Sequence, residues 1–297
     1  MEMNHPKITV IGFGLDACSA MADIILEDKL DIKPVAVDAE IEIDRTTGER
    51  HIWSSQGFSV GLETSEGLIF KRTLRREKIE EISSISDLVF ILVNMGESGV
   101  PDTIHKAKWI ASACKSLTVG IFGLPDPRID IDIAECMQEL KEPLDAWITV
   151  PYNPLLNEPE VRRMEKNIFR YGIKGITELV TIPGEINIDI SDLQTTLENA
   201  GPTYMSIGTG YGESGCTDAA KDALRNNFLD VSSPRGARNV LFRVIGRDPL
   251  TFYMVNEAAD IVQRHMADEA NIVFGVSINP DFEQTTKIIL VATDICS

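Results

Sequence analysis

The chain has 297 residues, of which 43% are hydrophobic, and its formal net charge at pH 7 is −18. This length accommodates one large domain or two of ordinary size, and the apolar content supports a complete core rather than a disordered chain. The acidity excludes nucleic acid and anionic membranes as direct partners, because their charge repels the chain. It does not exclude an anionic nucleotide, since backbone N–H groups can bind phosphate locally.

Cysteine and histidine usage favours a reduced compartment and predicts no metal centre. The five cysteines form no C-x-x-C motif and are odd in number, which is typical of a cytoplasmic protein without disulfides. The four histidines are scattered, so their spacing does not predict a metal site. The polar start, MEMNHPK, does not resemble a signal peptide, and the longest apolar run, Leu88–Val93, is too short to cross a bilayer.

The first half of the sequence opens with a βαβ pattern. Short apolar runs predict strands at residues 7–12, 33–38, 87–93, 117–122 and 146–150. Helical spacing predicts helices over residues 16–28, 101–115, 130–142 and 159–172, and Asp16 is a candidate N-cap of the first. Residues 40–78 give no clear period and have polar turns around Thr46–Gly48. This order predicts an α/β domain built on a parallel sheet.

The second half changes character and predicts a second α/β domain. Apolar runs predict strands in the segments TYMSIGTGYG, NVLFRVIG, NIVFGVSI and KIILVAT. Helical spacing predicts helices near residues 191–199, 216–226 and 254–267. The sequence shows no internal repeat and no low-complexity segment.

The first motif is Gly12-Phe-Gly14-Leu-Asp-Ala17, which follows a strand and opens a helix. It matches the pattern G-x-G-x-x-A, and Asp38 ends the next predicted strand. In a dinucleotide site such glycines let a pyrophosphate approach the helix N-terminus, and the acid binds a ribose hydroxyl. The alternative is a tight strand–helix turn without a ligand, and this short pattern alone does not decide between the two.

The second motif is Asn94-Met-Gly96-Glu-Ser-Gly99-Val-Pro101-Asp102, between a buried strand and a helix. Such a turn can present backbone N–H groups to a phosphate. The glycines are few, however, and an ordinary β–α turn with Pro101 at the first helical position explains these residues better.

The third motif is Asn187-Ile-Asp189-Ile-Ser-Asp192. One interpretation is a helix N-terminus, in which Asp189 or Ser191 is the cap and Asp192 favours the first turn through the helix dipole. The residues alone favour this cap. The other interpretation is a pair of carboxylates that polarise a water for attack on a phosphate.

Many separate segments together resemble FtsZ, the tubulin-like cell-division protein. The stretch IKGITELVTIPGEINIDISDLQTTL is similar to the central helix, catalytic loop and following helix of that family. Further similar segments follow in the family's order: GESGCTDAAKDAL, RGARNVLFRVIG, VNEAADIV, DEANIVFGVSINPD and ILVATDI. In the first half, the similar segments are DLVFILVNMG, LTVGIF and PLDAWITVPYNPLL. The resemblance covers most of the chain, densely after about residue 140 and thinly between residues 40 and 85.

The departures from FtsZ concentrate where that family binds GTP. The first phosphate loop is shortened to Gly12-Phe-Gly14-Leu, and the glycine-rich signature loop is replaced by Gly96-Glu-Ser-Gly99-Val-Pro-Asp102. The ribose loop, LPDPRIDIDIAE, is shorter than in the family, with Arg128 the one residue that approximates its usual contacts. Tyr152-Asn153 stands where an Asn-Asp pair is usual, and Asn167 falls at a guanine-contacting position.

The resemblance implies an α/β fold in three parts. A Rossmann-like GTPase-type domain would span residues 1–158, a long central helix residues 159–178, and a second, smaller α/β domain residues 179–297. Members of this family stack head to tail, so that the acidic loop of one subunit completes the nucleotide site of the next. The implied catalytic residues are Asn187, Asp189 and Asp192. The candidate cofactor-binding residues are Gly12, Gly14, Asp38, Gly96, Ser98, Gly99, Asn153 and Asn167.

The functional hypothesis is a cytoplasmic, filament-forming or filament-regulating protein with a weakened GTP site and an intact acidic loop acting in trans. GTP or GDP would bind weakly, with Mg²⁺ present only alongside the nucleotide, and enzymatic activity is left open. The expected partner is a second copy of this chain or a standard FtsZ-type protein, without nucleic acid, direct membrane contact or the usual C-terminal tether-binding tail. One alternative is an active polymerising GTPase with unusual loops. Another is an oxidoreductase that binds a dinucleotide at Gly12–Ala17.

Overall fold

The structure, a computed structural model, describes residues 6–28, 30–44, 47, 49–63, 67–73, 80–82, 84–95, 100–124, 138–150, 158–225, 233–280 and 286–295. The chain divides into two compact units, Met1–Lys174 and Gly175–Ser297. The division predicted from the resemblance, at residues 158 and 178, stays a prediction.

The first unit is built on a sheet whose strands follow the order β3-β4-β2-β1-β5-β6-β7, with β3 also pairing with β2. These strands are β1 (Ile8–Phe13), β2 (Ile32–Asp44), β3 (Arg50–Glu63), β4 (Gly67–Thr73), β5 (Leu88–Asn94), β6 (Leu117–Gly123) and β7 (Ala146–Val150). The helices are α1 (Gly14–Asp23), which continues into one π-helical turn (Ile24–Asp28), α2 (Val100–Ala113) and α3 (Glu158–Thr181), whose last turns belong to the second unit.

Five strands of this sheet run parallel: β2, β1, β5, β6 and β7. The three central strands, β1, β5 and β6, are nearly continuous apolar runs, as expected where both faces of a parallel sheet are covered. In β1, β5 and β6, every residue is buried. The predicted parallel α/β sheet is therefore confirmed.

Residues 40–73 form a structure that the sequence pattern did not reveal. Strand β2 continues beyond Asp38 to Asp44 and pairs antiparallel with β3 and β4, which also pair with each other. Of the predicted polar turn around Thr46–Gly48, the structure describes Thr47, whose hydroxyl accepts a hydrogen bond from the Glu49 amide at 3.2 Å. These strands are rich in polar residues and keep no regular period, so no long apolar run marks them.

Two helices differ from the sequence-based expectation. Helix α1 begins at Gly14 with Phe13 as its N-cap, so Asp16 lies in the first turn and does not cap the helix. Helix α3 runs to Thr181, beyond the predicted end at residue 172. Its extension follows buried apolar residues at helical spacing, namely Ile168, Phe169, Ile173, Ile176 and Leu179. Most of the predicted helix 130–142 lies outside the described residues.

The second unit contains a four-stranded sheet with the order β11-β10-β12-β9. Its elements are α4 (Ile190–Leu197), β8 (Gly201–Pro202), β9 (Tyr204–Gly210), α5 (Gly215–Arg225), β10 (Asn239–Gly246), α6 (Phe252–Gln263), β11 (Asn271–Ile278) and β12 (Thr286–Thr293). Strand β12 runs antiparallel to both β9 and β10, and β10 runs parallel to β11. Strands β9, β10 and β11 therefore end together, at what is here called the carboxyl edge of the second sheet.

Helices α5 and α6 share a core with this sheet. Small residues let α5 approach β9 closely: a Cβ at Gly208 would lie 2.1 Å from the Ala219 carbonyl oxygen and 2.3 Å from the Ala223 nitrogen. Helix α6 instead packs through the side chains of Val255, Ala258 and Val262. None of the helices described above combines the length and apolar character that a membrane span requires.

Candidate functional site

Residues 182–192, here called the acidic loop, connect α3 to α4 and lie against β11. The Ile186 amide donates to the Val276 carbonyl at 3.2 Å, and the Val276 amide donates to the Ile186 carbonyl at 2.9 Å. The backbone of Gly184 packs directly against β11, so that a Cβ at this position would lie 2.1 Å from the Val276 carbonyl oxygen. The Gly184 amide donates to Oδ1 of Asn187 at 2.9 Å. These contacts fix the loop near the carboxyl edge.

Asp189 and Asp192 form a reciprocal capping box at the start of α4. Oδ1 of Asp189 accepts from the Asp192 amide at 2.9 Å and from the Ser191 hydroxyl at 2.7 Å, while Oδ2 of Asp192 accepts from the Asp189 amide at 3.0 Å. Of the two caps that the sequence left open, Asp189 and Ser191, the structure shows Asp189. A carboxylate offers about four lone-pair sites, so capping leaves acceptor capacity on both residues. Asp189 is exposed and Asp192 is half-buried.

The capping bonds favour the ionised form of Asp189. The Ser191 hydroxyl, followed by the Asp192 amide, holds the pKa of the Asp189 carboxyl below its ordinary value. A lowered folded-state pKa means that this stabilisation is present above the unfolded-state pKa and is lost as the pH falls through the folded-state value.

We expect Asp189→Ala to lower the free energy of unfolding by about 0.5–2 kcal/mol at neutral pH, the usual range for a lost N-cap. The difference from the wild type should shrink on acidification toward about pH 3, because the wild-type carboxylate becomes protonated and accepts more weakly. Urea unfolding across this pH range measures both values. A difference that stays constant with pH would show that the charge of Asp189 does not contribute to the cap.

The second group of predicted residues lies where β1 passes into α1 in the first unit. Gly14 has a left-handed backbone (φ 76°), and a Cβ at Gly12 would lie 3.2 Å from the carbonyl carbon of Ala17. The strand therefore enters the helix without an intervening loop. Asp16 lies in the first turn of α1, and its Oδ2 accepts from Nδ2 of Asn94, at the end of β5, at 3.2 Å. A carboxylate thus stands beside the helix N-terminus.

Asp38 lies within β2 and not at the strand end predicted from the sequence. It has a left-handed backbone (φ 56°), and the β2–β3 pairing shifts register between Val37 and Ala39. The Lys106 ammonium contacts Oδ2 of Asp38 at 2.7 Å and Oδ2 of Asp102 at 2.6 Å. Burial lowers the pKa of Lys106, but hydrogen bonds and the charges of the two carboxylates outweigh burial and raise it overall. Lys106 is therefore a firmly protonated cation held between two acids.

Of the remaining residues predicted to bind a nucleotide, the structure describes one. Asn167 is exposed on α3. Four residues, Gly96, Ser98, Gly99 and Asn153, lie outside the described residues. Gly12 and Gly14 lie where β1 passes into α1, and Asp38 lies at the register shift in the neighbouring strand β2. Asn187, Asp189 and Asp192 lie together on the acidic loop of the second unit. Within the part of the chain described above, no three His, Cys, Asp or Glu side chains could together hold a metal ion.

Known proteins resemble this chain in the sequence of its second unit and in its fold. Residues 201–296 match the model of the FtsZ family, C-terminal domain. The fold is similar to that of an empty FtsZ dimer from M. jannaschii, with a TM-score of 0.73 and 22% identity, covering 98% of this chain and 89% of that chain. Residues 201–296 are therefore similar in sequence to the C-terminal domain of the FtsZ family, and the chain as a whole has the fold of FtsZ.

More distant superfamily structures share the same fold. A GTPγS-form protofilament of TubZ from Bacillus thuringiensis serovar israelensis gives a TM-score of 0.65 at 12% identity, covering 99% of this chain and 89% of that chain. The GDP-form protofilaments of the same TubZ give 0.63 at 12% identity, with 100% and 87% covered. At such identities these matches establish the fold alone, and the family model relates residues 201–296 to FtsZ by sequence.

Sequence reasoning missed two charged residues, Lys106 and Arg243. Lys106 escaped notice because it lies 68 residues from Asp38 in the chain. Arg243 lies in β10, where every neighbour within the strand is apolar. An arginine inside the otherwise apolar run NVLFRVIG was a signal that could have found it, since charged residues are almost never fully buried unless paired.

Proposed function

We propose that this FtsZ/tubulin superfamily member forms or regulates cytoskeletal filaments, with its acidic loop completing the nucleotide site of a neighbouring subunit. The observation that carries the proposal is the presentation of Asp189 and Asp192 on a loop fixed to β11. Both carboxylates reach solvent while their backbone is held by the cap and by the bridge to Val276. Such a preorganised pair can hydrogen-bond and polarise a water on a neighbouring molecule.

Exposed apolar side chains at the carboxyl edge support assembly through the same surface. Phe252 and Tyr253 begin α6 with 78% and 69% of their surface exposed. Tyr211 directly follows β9, Ile278 ends β11, and Ile186 belongs to the acidic loop, and all three are exposed as well. Aromatic residues grouped at one surface are typical of protein–protein contacts. We therefore assign this edge to the interface with the next subunit.

The chain's own nucleotide site is proposed to be weak. A triphosphate needs many converging donors, and glycine loops supply them because the backbone can approach closely. In this sequence Glu97 and Pro101 replace residues of such a loop, and proline has no N–H to donate. Asp16 adds a carboxylate beside the N-terminus of α1, and Lys106 is already neutralised by two acids. This chain's own site is therefore proposed to bind GTP weakly and to contribute no catalytic residues.

Calorimetry with GTP and Mg²⁺ tests the weak site. We expect a dissociation constant weaker than about 10 μM, because losing two or three charge-assisted hydrogen bonds costs about 3–9 kcal/mol. Asp16→Asn should tighten binding, since two like charges at about 4 Å cost about 1–4 kcal/mol depending on screening. The matched control is Asp268→Asn, an exposed position in the second unit, which should leave binding unchanged. A wild-type constant at or below about 10 μM would favour the alternative of an active polymerising GTPase.

The dinucleotide alternative predicts that Asp38 binds a ribose. Its carboxylate is engaged by Lys106, which would have to release it. A fluorescence titration with reduced nicotinamide cofactors tests this alternative directly. A cytoplasmic location, and a standard FtsZ-type protein as the neighbour in the filament, remain parts of the proposal.

A further inference from the structure

Arg243 is a fully buried cation in the middle of β10. Its side chain has no solvent exposure, although it lies in a strand of apolar residues. Transfer of an unpaired charge into a protein interior is strongly unfavourable, so a buried guanidinium must be compensated by its neighbours.

The guanidinium group is bound by the carboxyl end of α3. Nε and Nη2 of Arg243 donate to the Leu179 carbonyl at 3.0 and 2.7 Å, and Nη1 donates to the Ile182 carbonyl at 2.8 Å. The last carbonyls of a helix lack helical partners and carry the negative end of its dipole. The arginine therefore satisfies both the hydrogen bonds and the charge of this helix end.

A second cation shares the same helix end. Glu178, the residue before Leu179, accepts from the Lys287 ammonium at 2.7 Å, and both side chains are largely buried. The negative charge of Glu178 partly offsets the effect of burial, which lowers the pKa of Arg243. Lys287 thus neutralises Glu178, which lies within α3 four residues before the loop starts, and this makes Lys287 a useful comparison for Arg243.

Arg243 also lies directly beneath the acidic loop. A Cβ at Gly275, on the neighbouring strand β11, would lie 3.2 Å from Cζ of Arg243 and 3.1 Å from the Ile186 carbonyl oxygen. The guanidinium and the Ile186 carbonyl therefore border the same space over Gly275, which any side chain larger than glycine would fill. The group therefore fixes the residue at which the loop starts, Ile182, and supports the segment that follows.

We propose that Arg243 is the positioning residue of the acidic loop, holding the end of α3 so that Asp189 and Asp192 are presented in one geometry. The positioning stands on the structure, whereas the catalytic use of the two carboxylates rests on the function proposed above. The Arg243 side chain could instead serve only to fill the core. A methionine, which has a similar volume but no donor, would then replace it without loss.

Amide hydrogen exchange followed by NMR on Arg243→Met provides the test. Methionine fills the core but cannot donate, so we expect the amides of Gly184 and Ile186 to exchange at least about tenfold faster than in the wild type. The Asn279 amide, which donates to the Gly246 carbonyl in the same unit, should exchange at its wild-type rate. Arg243→Lys keeps the charge with one donor group and should restore part of the protection.

The comparison variant is Lys287→Met, which removes the other buried cation and should leave the two loop amides protected. Unchanged exchange at Gly184 and Ile186 in Arg243→Met, or an equal acceleration of all amides, would overturn the positioning role. If the methionine variant does not fold, Arg243→Lys carries the same test, because wild-type protection of both amides in that variant would also overturn it. Because exchange is measured without nucleotide or partner, failure of the proposed function would leave this result unaffected.

Discussion

Asp192→Asn is expected to slow GTP turnover by a co-assembled FtsZ-type protein at least about tenfold, the effect of removing one group that stabilises a transition state. Asparagine keeps a side-chain oxygen that can accept from the Asp189 amide, so the capping box survives while the charge is lost. Stability should therefore change little. Phosphate release from mixtures at fixed protein concentration measures the rate, and thermal unfolding of the isolated variant measures stability.

The matched control for this experiment is Asp268→Asn. Asp268 is exposed, like the acidic loop, but precedes β11 and so lies at the opposite edge of the second sheet. It carries the same chemical change without touching the loop. If Asp192→Asn and the control give the same turnover as the wild-type mixture, Asp192 acts only as part of the helix cap and the catalytic role proposed for it is wrong.

The double change Phe252→Ser and Tyr253→Ser is expected to raise the protein concentration needed for assembly at least about tenfold, because exposed aromatic anchors at an interface typically contribute about 2 kcal/mol or more each. Both side chains lie at the start of α6 with most of their surface in solvent, and the Tyr253 hydroxyl donates to Oε1 of Glu257 on the same helix. Replacing them removes little from the core. Sedimentation across a concentration series, alone and with an FtsZ-type protein, measures the effect.

Tyr171→Ser provides the control for the aromatic pair. Tyr171 is an exposed tyrosine on α3 in the first unit, so its substitution makes a similar chemical change outside the second unit. Assembly of the double variant at the wild-type concentration would exclude this edge from the filament contact. Equal losses in the control and the double variant would exclude a specific role for α6.

The sequence predicted the elements whose apolar pattern is a direct consequence of burial. Strands β1, β5 and β6 are buried along their whole length, and each was visible as an apolar run. The capping role of Asp189 was also visible, because a cap depends only on residues three positions apart. The resemblance to FtsZ, spread over many segments, correctly predicted an α/β fold with a parallel sheet and a second, smaller sheet.

Features that depend on distant residues were not visible. The strands between residues 40 and 73 are rich in polar residues without a regular period, and they are held in place by pairing with each other. The ion pair of Lys106 with Asp38 and the contacts of Arg243 with the end of α3 join residues more than 60 positions apart, for which one sequence carries no pairing signal. The start of α1 at Gly14 was missed because the positive φ of that glycine, and not a side-chain cap, begins the helix.

The close approach of α5 to β9 has a mechanical consequence. Where Gly208 meets Ala219 and Ala223, the spacing between strand and helix is set by peptide atoms, which cannot change rotamer to take up a displacement. Helix α6 meets the sheet through side chains such as Val255 and Val262, whose rotamers can adjust. Under a load applied at the carboxyl edge, α5 and β9 would behave as one stiff body, and α6, with its exposed aromatic residues, would be the compliant element.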